Sequence, residues 1–295
     1  LSAFAIVFTF IMIFNIFMSP VSSLADSATM SMLGEERAMY GRIRLGGTIG
    51  WGLVAPIAGT VVENYGLRLG FMIFSAIMFI NFFVSQKFNF GKVEGHETNH
   101  GGIRTLLAGR RWIFFLLISF LGGVGIFSVA SYLFPYMAEL GANESQMGIA
   151  LTISTLTELP VFFFGHRLVR RFGSYRLFII ALVLIGIRSL LYAAIDSPFQ
   201  IFFVQAFSGM IFPIMWLAGV SYADENAPAG LKSTAQGVFS AMTFGFGSAL
   251  GGFIGGLLLE SVGGRGMFLV MGIIILVGLV LIEANQRLLN RMQGA

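Results

Sequence analysis

Two ionisable residues stand deep inside apolar runs, where a charge is expensive and is retained for a purpose. Glu158 lies in STLTELPVFFFG and Arg188 in LVLIGIRSLLYAA. Arg188 lies twelve residues beyond Arg176, which marks one end of its run; that is about 18 Å along a helix. Glu158 lies nine residues from Arg167, or about 13–14 Å on the same scale. The depths differ by about 5 Å, a gap that a long Arg side chain spans, so the two are expected to pair. Pairing favours the charged carboxylate and desolvation the neutral one. A change that separates the pair therefore lets Glu158 take a proton from one side and release it to the other. The bland alternative is a structural ion pair, in which removing one partner strands a buried charge.

Other candidates are weaker on residue type alone. Asp26 and Arg44 sit near the ends of apolar runs, where charged side chains are commonly interfacial. His96 and His100 form an H-x-x-x-H pair beside Glu94 and Glu97. Their glycine-rich, polar surroundings do not preorganise ligands, so no metal is expected there. There is no Cys, which removes disulfides, thiolate catalysis and Cys-ligated zinc. No G-x-S-x-G, H-E-x-x-H or P-loop pattern occurs. The sequence thus points to no enzyme and no cofactor.

The elements that position these residues are membrane helices. Mean hydropathy is +0.85 and charged residues are 11% of 295, against roughly 25% in soluble domains. Apolar runs of about 20 residues, the length that spans a bilayer, recur from end to end. They are continuous rather than alternating, so a β-barrel is excluded. Nine spans are predicted, at 2–28, 46–63, 68–86, 111–134, 147–166, 175–195, 198–222, 233–259 and 266–286.

The spans repeat. GTVVENYGLR ends at Arg68 and GLLLESVGGR at Arg265, and both fit G-x-x-x-E-x-x-G-x-R. Each matched pair lies 197 positions apart, as Gly59 to Gly256 and Gly66 to Gly263. A fixed offset this long marks two related halves. Residue 1 maps onto Pro198, so the halves match fully only if three helices precede Leu1, and the reading expects them. The predicted division is a partial N-terminal bundle over 1–86, a loop over 87–110 and a six-helix bundle over 111–295.

Fifteen basic residues fall on one set of connections, among them Arg37, Arg104, Arg170 and Arg287, and only Arg68 and Arg265 on the other. The positive-inside rule makes the first set, and the C-terminus, cytoplasmic. The net charge of +4 follows from this topology and gives no case for nucleic acid.

Two six-helix halves joined by a cytoplasmic loop resemble the major facilitator superfamily, with this chain as helices four to twelve. GRIRLGGTIGW, Gly41 to Trp51, resembles the start of helix five in the lactose-permease-like sugar:proton symporters. That resemblance places substrate contacts on Arg44 and Trp51 and an acid on Asp26. It also gives Glu158 and Arg188 the substrate and proton-coupling roles of helices eight and nine, and ELP resembles permeases for nucleosides and aromatic acids. The resemblance departs on helix ten. Where the lactose type has His and Glu before a Pro, SGMIFP puts Ser208 and Ile211 before Pro213. The lactose-type relay is therefore absent, and Gln205, Ser208 and Trp216 are left as solute contacts. HRLVRRFGSYR resembles the superfamily's gating loop and keeps Arg171, Gly173 and Arg176, with Arg167 beside them.

The expected protein is an all-α, multi-pass, monomeric permease of the plasma (inner) membrane. It moves a small solute with protons by alternating access. The solute is a sugar, nucleoside or aromatic acid. An efflux antiporter is the nearest alternative, with VAPIAG as an incomplete efflux motif, and a non-transporting receptor the next.

Overall fold

The computed structural model describes residues 2–33, 40–87, 106–107, 109–228 and 231–293. Within its helices, the side chains at 2–5, 19–20, 22–24, 26–31, 33, 40–45, 166, 232–233 and 290–293 lie outside the description. The described chain is helical. In order come α1 (Ser2–Leu33), α2 (Tyr40–Ser85), α3 (Arg110–Glu139), α4 (Glu144–Phe172), α5 (Ser174–Ala193), α6 (Pro198–Ser208), α7 (Ile211–Asn226) and α8 (Lys232–Ser240). A π-helical turn, Ala241–Gly247, then runs into α9 (Ser248–Gln293).

α2 and α9 each have 46 residues, about 69 Å of helix, or twice a bilayer core. Each must therefore be two passes, and each is broken where the repeat predicts. Gly66 has φ 79, ψ 165 and Gly263 has φ 71, ψ 174, a region almost closed to residues with a Cβ. The two breaks keep the 197-residue offset of the motif. Among the described residues the predicted spans fall on α1, two in α2, α3, α4, α5, α6 with α7, and two from α8 to the end of α9.

Two compact units form. The first holds residues 1–48 and 67–97, where Phe14 of α1 meets Phe74 of α2 with ring centroids 6.2 Å apart. The second holds 49–66 and 98–295. In it α3 packs on α9, the π turn and α5, while α4 packs on α6 and α7. Its core is aromatic toward one end, around Trp112, Phe115, Phe178, Tyr222 and Phe239. Toward the other it gathers Tyr136, Tyr192, Met267, Phe268 and Met271.

Small residues let the second unit close. A Cβ on Gly247 would lie 2.7 Å from the Cα of Gly123, so α3 and the π turn meet backbone to backbone. A Cβ on Gly148 would lie 2.6 Å from the Ala55 carbonyl oxygen, which seats the 49–66 segment on α4. In a bilayer, where burying apolar surface gives little net drive between helices, this close van der Waals approach holds them together.

No atom approaches a Cβ built at Gly66 or Gly263, so an alanine there meets only backbone strain. Gly66→Ala and Gly263→Ala are each expected to cost about 1–3 kcal/mol. A lowered Tm of the purified protein in detergent checks this, and an unchanged Tm would mean that the breaks do not depend on glycine.

Candidate functional site

The site forms around an arginine in the interior of the second unit. α5 is apolar on nearly every face, yet carries Arg188 with only 4% of its surface exposed. Its Nη2 donates to the Gly125 carbonyl at 2.8 Å and its Nη1 to Ser208 Oγ at 3.2 Å. The same Gly125 carbonyl accepts from Ser128 Oγ at 3.1 Å, and position 125 is glycine because a Cβ there would meet Ile185 and Ile275. One turn further along α5, buried Tyr192 donates to Gln205 Oε1 at 3.0 Å. The Arg188 Nε is buried with no hydrogen-bond acceptor among the described residues.

Ser208 is presented to Arg188 at an interruption in a helix. The span 198–226 crosses as one helix; only its hydrogen-bond ladder is interrupted between Ser208 and Ile211, where Gly209 (φ −61, ψ −25) and Met210 (φ −74, ψ −23) keep helical backbone angles. Pro213 supplies the cause, since its ring excludes the backbone bond an unbroken ladder would make. Gly209 sits at the interruption. A Cβ there would strike the Ser154 carbonyl and Thr157 Oγ1 of α4. The interruption therefore lies against the α4 turn next to Glu158, which is half-buried.

The sequence expectation joins Glu158 to Arg188 directly. The described guanidinium instead turns to a hydroxyl and a carbonyl, with the helix 198–226 set between the α4 turn and α5. Gln205 and Ser208, expected at the solute, are 3% and 6% exposed and bond toward Tyr192 and Arg188. Trp51 is 63% exposed. The neighbouring Gly52 carbonyl accepts from Thr152 Oγ1 of α4 at 2.9 Å. The side chains of Asp26 and Arg44 lie outside the described residues.

The predicted gating loop is a tight turn between α4 and α5 at Gly173, with φ 76. Arg167 and Arg171 lie over the rings of Phe164 and Phe172, and Arg176 is exposed. Contacts missed in the sequence secure this end. Ser174 Oγ donates to Glu225, and Tyr175 donates to Glu283. Arg170, Ser221 and Glu225 line a cavity of about 650 Å³ beside the turn. Glu63, recognised only as part of the repeat, also acquires a contact. Its carboxylate accepts from Asn143 Nδ2 at 3.1 Å and from the Ser145 amide at 3.2 Å, so it seats on the N-terminus of α4, where a negative charge is favoured.

The profile of the MFS_1 like family matches residues 2–270. The chain belongs to this family. A maltose permease of Geobacillus stearothermophilus is 26% identical over 265 residues, covering 90% of this chain and 67% of the permease. Major facilitator superfamily domain-containing protein 6-like protein B of Xenopus laevis is 22% identical over 272 residues. That match covers 87% of this chain and 44% of the Xenopus protein. The crystal structure of an Asp-to-Ala mutant of the nucleoside transporter NupG superposes with a TM-score of 0.73 at 19% identity, over 90% of this chain and 73% of that one. At this identity the likeness shows the fold. The major facilitator reading of the sequence is thus met in family and in architecture: a multi-pass helical membrane protein among transporters rather than enzymes.

Tyr192→Phe leaves the Gln205 Oε1 without its donor, and Ser208→Ala removes one partner of a buried guanidinium. Each is expected to cost about 1–3 kcal/mol, read as a lower Tm. Because Tyr192 also meets Ser208 and the Arg188 charge, the double variant should cost less than the sum of the single effects. A double variant that sums them would show two independent contacts instead.

Proposed function

We propose that this major facilitator protein is a proton-coupled symporter that moves a small polar or aromatic solute by alternating access. The observation that carries the reading is the buried Arg188 of α5 bonded to Ser208 of the helix 198–226, with the α4 turn next to Glu158 packed on Gly209. Ionisable side chains in the membrane interior are functional candidates by default. An intramembrane carboxylate can change protonation without leaving the bilayer. In this reading Glu158 carries the proton. Arg188 stands on the far side of this helix and senses that change through Ser208 and the turn at Gly209. Asp26, Arg44 and Trp51 hold the solute from the other half.

The halves are 1–86 and 111–295, joined by 87–110, and they rock about the solute as one gate closes and the other opens. Glu63 on the start of α4 is the latch of one gate. The turn at Arg167, Arg171, Gly173 and Arg176 belongs to the opposite, cytoplasmic one. The protein works as a monomer in the plasma membrane, with its C-terminus in the cytoplasm.

Two experiments on the full-length protein in proteoliposomes test this. Glu158→Gln should abolish proton-driven accumulation while retaining exchange of solute across the membrane. Accumulation at the wild-type rate would make Glu158 structural. For the latch, Glu63→Cys with Asn143→Cys gives a thiol pair in a chain that has no other Cys. Oxidation should stop uptake and reduction restore it. Uptake unchanged by a completed cross-link would show that this contact never parts.

A further inference from the structure

Four rings from three elements meet in the second unit, away from the Arg188 network. Phe244, in the π turn, lies 5.2 Å from Trp216, 6.3 Å from Phe212 and 5.4 Å from Phe127, centroid to centroid. Phe212 and Trp216 sit one turn apart on α7, with ring planes only 17° from parallel and centroids 6.4 Å apart. Behind them Trp216 rests on the fully buried Phe239, which fixes its plane. None of the four is itself fully buried, and Phe244 is 38% exposed.

Single exposed Phe side chains, such as Phe199, Phe203 and Phe253, occur elsewhere on the second unit; what sets this group apart is that four rings from three elements converge. Ser131 follows Phe127 by one turn on α3 and Ser248 follows Phe244 by one turn, and neither is buried. The backbone at Gly245 is open, with no atom within 4 Å of a built Cβ. The π turn itself is the second sign. Such turns are rare and concentrate at functional sites, and this one is what carries Phe244 between Phe127 and the α7 rings.

We propose that Phe127, Phe212, Trp216 and Phe244 form a stacking platform that selects solutes bearing a planar aromatic ring. This deepens the symport reading and rests on it for the solute's passage. Fixed rings with little rotamer freedom bind a planar π face at small entropic cost. A nucleobase and the phenyl ring of an aryl acid share that face. A disaccharide offers C–H surfaces and hydroxyls instead, and this face supplies few hydrogen-bonding groups to match the hydroxyls.

The test is equilibrium binding to the full-length protein in nanodiscs, without a proton gradient, using uridine, 3-phenylpropionate and maltose as probes. The ring-bearing probes should bind and maltose should not; whichever of the two binds more tightly identifies the source of the ring. Trp216→Leu and Phe244→Leu should each weaken that binding about tenfold, the loss expected for one stacked ring. Trp216→Phe should restore most of it, which separates stacking from misfolding. Binding of maltose alone, binding of no ring-bearing probe, or ring binding unmoved in both leucine variants would overturn the platform. Ring-dependent binding without gradient-driven uptake would instead leave the platform standing and overturn the proton coupling.

Discussion

A guanidinium held in the apolar interior of a membrane protein constrains everything near it. It carries five donors and can be neither hydrated nor deprotonated there, so the surrounding chain must supply oxygen atoms. Three local departures from regular, bulky helix follow. Gly125 offers a carbonyl, Ser208 stands where a helix ladder is interrupted, and Gly209 lets that point press against α4. Each weakens its own helix, and together they satisfy one cation. Among the described residues its Nε meets no acceptor.

The same economy appears at the seams. Where helices must touch, the chain uses glycine and lets backbone meet backbone, as at Gly123 with Gly247 and Gly148 with Ala55. At a helix terminus it uses polar contacts, as at Glu63 with Asn143 and Ser145. Along their lengths the helices pack by shape, and charge is kept to their ends, to Glu158 and to Arg188.

Much of this was legible in the sequence because the bilayer imposes strong rules. Run length gave the spans, and the motif around Glu63 and Glu260 gave two breaks at Gly66 and Gly263. Isolated charges gave Glu158 and Arg188. That Arg188 would turn to Ser208 and Gly125 rather than to Glu158 was not legible. Helical rise gives depth but not azimuth, and nothing in the spacing said that the helix with Pro213 and Gly209 would stand between the α4 turn and Arg188. Gln205 and Ser208 read as solute contacts because polar residues in a span invite that role, whereas burial turned them inward. Ser174 with Glu225 and Tyr175 with Glu283 join residues far apart in sequence, and composition carries no sign of such pairs. The four-ring cluster was also hidden. Only Trp216 drew notice, because 32 Phe leave no single one conspicuous.

The π turn has a consequence for how the helix after it is read. Phe239, Thr243, Gly247, Gly251 and Gly255 recur every fourth residue and are all buried. In a uniform α-helix each such step overshoots a full turn by about 40°, and the stripe would wind away from α3 within three steps. The wider turn at 241–247 holds it straight through one of them. The helix thus contains one residue more than its contact surface requires, and that surplus sets the azimuth of everything downstream. Loss of a single codon there would leave composition, hydropathy and span length almost untouched. It would nevertheless rotate the remaining fifty or so residues, about 100°, out of phase with the neighbours they were matched to.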